Sequence, residues 1–139
     1  MWKTMKVTDY MKRGPLTLDP GVSLFRAMEL LLENRISGAP VVERGVLVGM
    51  FSESDSLRGM LEARYHGIEI GVVADYMSRE PQVLPARATV LEAMEVFLRH
   101  HRRRLPVVEN GKLVGQISRH DILRAMLEMA AEDGIVSEA

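Results

Sequence analysis

The sequence lacks cysteine altogether, and aromatic residues make up only 5% of its 139 positions. Without cysteine there is no disulfide framework, thiolate metal site or cysteine nucleophile, which fits a reducing cytoplasm. So few aromatic rings offer little for stacking on single-stranded nucleic acid. No stretch approaches the roughly 20 apolar residues of a membrane span, and the first residues lack the apolar run of a signal peptide. We therefore expect a small, soluble cytoplasmic protein.

The net charge is also small, because 18 basic side chains are balanced by 19 acidic ones and leave a formal net charge of −1. This balance excludes a uniformly basic nucleic-acid binder and a polyacidic disordered chain. Hydrophobic residues account for 47% of the chain, which is enough to bury a core at this length.

The chain contains an internal duplication. Residues 7–61 align without gaps on residues 73–127, and 25 of the 55 aligned positions are identical. Unrelated sequences of ordinary composition would share roughly 3 or 4. We therefore divide the chain into a lead at 1–6, a first repeat at 7–61, a linker at 62–72, a second repeat at 73–127 and a helix end with a tail at 128–139.

Each repeat predicts the element order β-α-β-β-α. A short extended segment precedes a helix that begins at Ser23 or Thr89, both good N-cap residues, and Thr89 to Glu92 has the capping-box form. Two β-rich runs follow, joined by Arg44-Gly45 in the first repeat and by Asn110-Gly111, a strong hairpin signal, in the second. A second helix begins near Ser52 or Ser118. So small a unit cannot cover both faces of its strands, so we expect the two units to pack on each other.

The same ordered motifs occur in both repeats: D-Y-M, A-M-E, P-V-V-E, a glycine hairpin, and L-V-G-x-x-S-x-x-D followed by Leu-Arg. This arrangement resembles the cystathionine β-synthase (CBS) domain family, as the tandem pair called a Bateman module. The resemblance implies an α/β (α+β) fold of two pseudo-symmetric units packed through their sheets, with two clefts between them. It also implies homodimers and an adenosine-containing regulatory ligand (AMP, ADP, ATP or S-adenosylmethionine), with signalling to a protein partner that the sequence does not identify.

The Ser-x-x-Asp pattern at 52–55 and 118–121 allows two interpretations. A serine followed three residues later by an acid is a common helix start, in which both side chains satisfy free amides. Alternatively, the helix start accepts a phosphate while Asp55 or Asp121 accepts hydrogen bonds from two ribose hydroxyls. The second interpretation matches the family's ribose-binding position, and the two are compatible.

The segments before the first hairpin strand, together with one residue across the predicted pocket, complete the candidate ligand sites. By resemblance, the backbone of each segment holds the base edge, although proline at the strand entry also has a purely structural role. Thr17 offers a hydroxyl where Val83 has none, which makes the two sites unequal. The predicted ligand-binding residues are Thr17, Ile36, Ser37, Gly38, Ala39, Pro40, Ser52 and Asp55 in the first repeat, and Val83, Arg102, Arg103, Arg104, Leu105, Pro106, Ser118, His120 and Asp121 in the second.

The second repeat contains the basic run His100-His-Arg-Arg-Arg104. Such runs are usually solvated surface. The first repeat has 6 basic and 7 acidic residues, whereas the second has 9 and 6, so the second repeat suits a di- or triphosphate. Arg102 stands where the first repeat has apolar Ile36, and it either narrows the base pocket or turns toward phosphate.

The four histidines have no ligand spacing for a metal, and Ser118, His120 and Asp121 are too close in sequence to form a catalytic set. We therefore expect neither an enzyme, a metal nor a catalytic cofactor. The favoured hypothesis is a stand-alone sensor of an adenine nucleotide. The alternatives are a ligand-free structural dimerisation module and, more weakly, nucleic-acid binding through residues 100–104. No membrane partner is expected.

Overall fold

The computed structural model describes residues 4–135. The helices are α1 (Leu24–Glu33), α2 (Glu53–His66), α3 (Val73–Tyr76), α4 (Val90–His100) and α5 (Arg119–Glu132), preceded by a 3₁₀ turn at Val7–Asp9. The strands are β1 (Gly38–Glu43), β2 (Val46–Ser52), β3 (Leu84–Pro85), β4 (Arg104–Glu109) and β5 (Lys112–Ser118). The predicted mixed α+β fold is confirmed.

The described chain divides into two compact units that do not coincide with the sequence repeats. One unit, here called the Asp55 unit, is Leu16–Pro81. The other, here called the Asp121 unit, combines the described residues up to Pro15 with those from Gln82 onward. The start of each sequence repeat, at 7–15 and 73–81, therefore lies in the unit formed by the rest of the other repeat. We call these two segments the lead-ins.

The Asp55 unit is built on the antiparallel hairpin of β1 and β2, in which Ala39 pairs with Phe51. Leu18 adds a parallel bridge to Val41 on one side, and Ser78 of the lead-in adds an antiparallel bridge to Met50 on the other. The apolar residues of these strands and of the helices bury a core, whose buried members are Leu18, Leu24, Ala27, Leu31, Ala39, Val41, Phe51, Val73 and Met77.

The Asp121 unit repeats this arrangement. Strands β4 and β5 form the hairpin, β3 runs parallel to β4 with Leu84 opposite Val107, and Lys12 of the lead-in bridges Gln116. Its buried core consists of Val7, Met11, Leu84, Ala88, Val90, Ala93, Phe97, Leu105, Val107, Ile117, Ile122 and Ala125. A lead-in residue therefore stands at the same place in each unit.

Local chemistry sets the predicted helix starts and hairpin turns. The Ser23 hydroxyl accepts a hydrogen bond from the Arg26 amide, and Thr89 forms the predicted capping box with Glu92. At Arg44-Gly45 and Asn110-Gly111 both residues have positive φ, which a two-residue hairpin turn of the observed twist requires. These predictions are confirmed.

The second helix of the first repeat is longer than predicted. Helix α2 continues to His66 and ends at Gly67, so the first part of the predicted 62–72 linker is helical. Helix α5 continues to Glu132 and ends at Asp133, within the predicted helix end and tail at 128–139. The rest of the predicted tail, 136–139, and the start of the predicted lead, 1–3, lie outside the described residues.

Each lead-in crosses its unit at a glycine. A Cβ atom added to Gly49 would lie 2.7 Å from both the Met77 sulfur and the Ser78 carbonyl oxygen. A Cβ atom added to Gly115 would lie 2.5 Å from the Met11 sulfur and 2.9 Å from the Lys12 carbonyl oxygen. Because the backbone of the lead-in is part of each contact, a side chain here would displace the lead-in from its strand.

We expect Gly49→Ala and Gly115→Ala each to lower the free energy of unfolding by about 1–3 kcal/mol, the usual cost of overpacking. Urea denaturation of the two variants measures this change. Gly21→Ala is the control, because its Cβ would meet only the Asp19 side chain, at 3.3 Å, and we expect it to stay within about 0.5 kcal/mol of the parent. Equal stability of all three variants would contradict the described lead-in contacts.

A tyrosine fastens the lead-in of the Asp121 unit to the last helix. The Tyr10 hydroxyl donates a hydrogen bond to Glu128 Oε2 at 2.7 Å. Burial, this hydrogen bond and the negative charges of Glu128, Glu132 and Asp9 raise the pKa of Tyr10 from 10.0 to about 12. The folded chain therefore keeps a proton that the unfolded chain loses in this range.

Because the folded state holds this proton more tightly, the free energy of unfolding falls as the pH rises from 10.0 to about 12. We expect Tyr10→Phe to remove part of that fall, and to remove the tyrosinate absorbance step near the upper end of the range. Denaturation and ultraviolet titration across these pH values measure both effects. Tyr65→Phe, at an exposed ring, is the control and should leave that step in place. An unchanged titration in Tyr10→Phe would contradict the assignment.

Candidate functional site

Both predicted site aspartates lie in the first turn of a helix that follows a strand. The Ser52 hydroxyl accepts a hydrogen bond from the Asp55 amide at 3.3 Å, and Asp55 Oδ2 accepts from the Ser52 amide at 2.8 Å. Ser118 and Asp121 repeat this reciprocal pair at 3.2 and 2.8 Å. The helix-start interpretation of Ser-x-x-Asp is therefore confirmed in both repeats.

The two carboxylates are buried, with 4% of Asp55 and 2% of Asp121 exposed. Both carboxylates have hydrogen-bond partners, as expected because burying an unpaired charge would be strongly destabilising. Asp55 Oδ1 accepts from the Arg58 guanidinium, while Oδ2 is shared by the Ser52 amide and hydroxyl. Each oxygen of the carboxylate thus has a different protein partner.

The arginine that pairs with each aspartate also reaches the lead-in. Arg58 Nη2 lies 3.4 Å from the Tyr76 carbonyl oxygen, and Arg124 Nη2 lies 3.5 Å from that of Tyr10. Arg124 forms the same ion pair with Asp121 as Arg58 does with Asp55. These arginines were not among the predicted site residues, although the Leu-Arg pair that contains them is identical in both repeats.

The strand-entry segment of the Asp55 unit lies beside the helix start. The Ser37 carbonyl accepts from the Glu53 amide at 2.9 Å, and the Pro40 carbonyl accepts from the Leu18 amide at 2.9 Å. Thr17, the residue before Leu18, is exposed. Residues 36–38 are half-buried, and Ala39 and Pro40 are buried. The structure therefore brings every predicted site residue of the first repeat into one unit, with Ser37 bonded to the start of α2.

The second set is also gathered in one unit, but its surface differs. Arg102 and Arg103 are exposed, Arg104 and Val83 are half-buried, and Leu105 and Pro106 are buried. The Arg103 carbonyl accepts from the Arg119 amide at 3.1 Å, which repeats the contact between Ser37 and Glu53. His120 is exposed at the helix start. The basic run therefore lies on the surface beside Ser118 and Asp121.

The first-turn amides of α2 are partly used by the protein itself. The Glu53 amide donates to Ser37, and the Asp55 amide donates to Ser52. The Ser54 amide between them has no acceptor among residues 4–135. Such an amide at a helix N-terminus suits an anion.

Within residues 4–135, the histidine and carboxylate side chains form no group that could hold a metal ion. None of the helices in this described part is long and apolar enough to cross a membrane. The chemistry that the two sites do offer is a buried carboxylate, an arginine paired with it, and an open amide at a helix start.

Comparison with known proteins shows which domain family each repeat matches. A family model of the CBS domain matches residues 7–62 and 73–128. The CBS domain-containing protein YhcV of Bacillus subtilis is 30% identical over 117 residues, which cover 84% of this chain and 81% of YhcV. The A-adding tRNA nucleotidyltransferase of Aquifex aeolicus is 36% identical over 125 residues, which cover 89% of this chain. The chain spans 15%, 36% and 42% of the first three curated relatives it matches.

The fold agrees with the same family. The crystal structure of CBSX2 of Arabidopsis thaliana in complex with AMP has a TM-score of 0.80 and 32% identity, over 90% of this chain and 98% of that one. Two matches to one domain model, a shared fold and a duplicated element order all agree. The chain therefore belongs to the CBS domain family and carries two CBS domains in tandem.

Proposed function

We propose that this protein is a regulatory module that binds an adenine nucleotide at the starts of α2 and α5 and passes the signal to a protein partner. One observation carries the proposal: a buried aspartate, paired with serine and arginine, stands at the same helix start in both repeats. The AMP complex of CBSX2 supports the ligand class. We propose no catalytic role for any residue.

A ribose suits the buried carboxylate because its neighbouring hydroxyls are donors and a carboxylate has only acceptors. Asp55 Oδ2 is held by the amide and hydroxyl of Ser52, which is also the N-cap residue of α2. Oδ1 is held by Arg58, a side chain that is half-exposed and can turn away. In the proposed complex the ribose hydroxyls therefore replace Arg58 at Oδ1.

The phosphate then occupies the free amide of Ser54. An arginine released from Asp55 supplies the charge that a phosphate pairs with most strongly. The open amide and the released guanidinium together favour a nucleotide over an uncharged nucleoside. In the second repeat the corresponding groups are the His120 amide and Arg124.

The same exchange offers a route for the signal. While Arg58 is paired with Asp55, it also contacts the Tyr76 carbonyl of the lead-in. Binding that draws Arg58 away removes that contact, so the ligand favours a state in which the lead-in is held less firmly. A ligand regulates only when it binds two states with different affinity, and this contact distinguishes them.

The double variant Asp55→Asn with Asp121→Asn tests the binding proposal. Asparagine keeps the size of the side chain, but one acceptor becomes a donor and the charge is lost. We expect isothermal titration with AMP, ADP and ATP to show at least about a tenfold loss of affinity, since hydrogen bonds to charged groups contribute about 1.5–3 kcal/mol.

The matched control is Glu92→Gln, which weakens the capping box at Thr89 without touching either aspartate. Its nucleotide affinity should equal that of the parent. If the parent protein binds no nucleotide below millimolar concentration, the proposal is overturned and the ligand-free structural module is favoured. In that module Asp55 and Asp121 would act only as helix caps, a role that needs no ligand. Unchanged affinity in the double variant would overturn the role of the aspartates.

We also propose that the chain forms a homodimer through exposed apolar residues on its two longest described helices. Leu57, Leu61 and Tyr65 follow one another at four-residue spacing on α2, with 72%, 54% and 77% exposed. Leu123 and Leu127 occupy the matching positions on α5, with 59% and 63% exposed. Soluble monomers rarely leave such stripes uncovered, and the repetition of the stripe suits an interface between copies.

Leu61→Glu combined with Leu127→Glu places a charge in each stripe, and the cost of burying an unpaired charge should drive the protein to a monomer. Sedimentation velocity at several concentrations measures the change from dimer to monomer. Leu32→Glu, at a leucine on α1 that is 79% exposed, is the control and should remain dimeric. A monomeric parent, or a dimer that survives both stripe substitutions, would contradict this interface.

A further inference from the structure

The two candidate sites differ at the residue that follows the capping serine. This residue is Glu53 in the Asp55 unit and Arg119 in the Asp121 unit. Arg119 Nε donates to the Arg102 carbonyl at 2.6 Å, and Nη2 donates to the Phe97 carbonyl at 3.2 Å. A glutamate carboxylate has only acceptors, so Glu53 cannot make either bond. Arg119 thus joins the end of α4 and the strand-entry segment in one unit only.

This difference changes the acceptors available beside each aspartate. The Ile36 carbonyl, which corresponds to that of Arg102, receives no hydrogen bond from any residue in the described part of the chain. It lies in the half-buried segment next to Ser37, which is itself bonded to the start of α2. The Arg102 carbonyl already accepts a hydrogen bond from the Arg119 guanidinium, through Nε. One unit therefore offers an open acceptor where the other presents a cation.

An aminopurine and an oxopurine respond oppositely to that difference. The exocyclic amino group of adenine is a donor and needs an acceptor such as the Ile36 carbonyl. A guanidinium has donors only and offers that amino group nothing. An adenine amino group that is left without an acceptor in such a site lowers the binding affinity. The carbonyl of an oxopurine would face the Ile36 carbonyl, acceptor against acceptor.

We infer that Arg119 is a specificity-determining residue that keeps the Asp121 site from taking adenine, so that one adenine nucleotide binds per chain, at the Asp55 site. The inference rests on the proposed function and narrows it. Arg119 acts by bonding to the Arg102 carbonyl and by offering the base only donors. Its counterpart, Glu53, leaves the first site open.

Reciprocal exchange of the two residues tests the inference. Isothermal titration with AMP, and with inosine monophosphate as the oxo counterpart, gives the number of sites and the base preference. We expect one AMP per chain in the parent, two in Arg119→Glu, and at least about a tenfold weaker binding in Glu53→Arg. Arg119→Lys keeps a donor and a positive charge, so it should retain one site. The parent should prefer AMP over inosine monophosphate at least about tenfold.

Thermal unfolding checks that each variant is folded, and Arg119→Ala replaces Arg119→Glu if the latter does not fold. A loss of fold alone would not raise the number of AMP sites, so the gain of a second site separates specificity from stability. Two AMP sites in the parent, or one site in both Arg119→Glu and Arg119→Ala, would overturn the inference. If neither parent nor any folded variant binds a nucleotide, the proposed function itself fails.

Discussion

A buried carboxylate with three protein donors ties together the parts of each unit. Asp55 accepts from the amide and hydroxyl of Ser52, where β2 ends, and from Arg58 one turn further along α2. Through Arg58 the pair also reaches the lead-in at Tyr76. A charge at this depth needs a hydrogen-bond donor at both oxygens, because a buried carboxylate that loses a partner without replacement is strongly destabilised. Strand end, helix start and lead-in are thus held by the same side chain.

The exchange of lead-ins connects each candidate site with the other sequence repeat. Because the lead-in of each sequence repeat lies in the unit that holds the other repeat's aspartate, the arginine at each site contacts backbone from the other repeat, at Tyr10 or Tyr76. A ligand that competes for the carboxylate acts on that contact as well. The two units keep the same fold but differ at individual positions, such as the residue after the capping serine, which is Glu53 in one unit and Arg119 in the other.

Features set by neighbours in sequence were predictable. The hairpin at Asn110-Gly111 and the caps at Ser23 and Thr89 depend on turn and capping chemistry within a few residues. The lead-in exchange was not predictable, because the motif D-Y-M carries no sign of which unit it joins. The three-residue spacing of Asp55 and Arg58 on one helix could have predicted their ion pair, whereas the contact of Arg58 with the Tyr76 carbonyl depends on the tertiary structure. Identity between the repeats marked Arg58 but did not distinguish its role from packing.

Asp55 caps α2, and in the proposed complex the ribose binds the same carboxylate in place of Arg58. A crystal structure of the protein grown with AMP tests this claim most directly. We predict that AMP lies at the start of α2, with its ribose hydroxyls on Asp55 Oδ1, the capping bond from Ser52 to Oδ2 kept, and Arg58 turned toward the phosphate. AMP bound elsewhere, with the ion pair between Asp55 and Arg58 intact, would contradict the account.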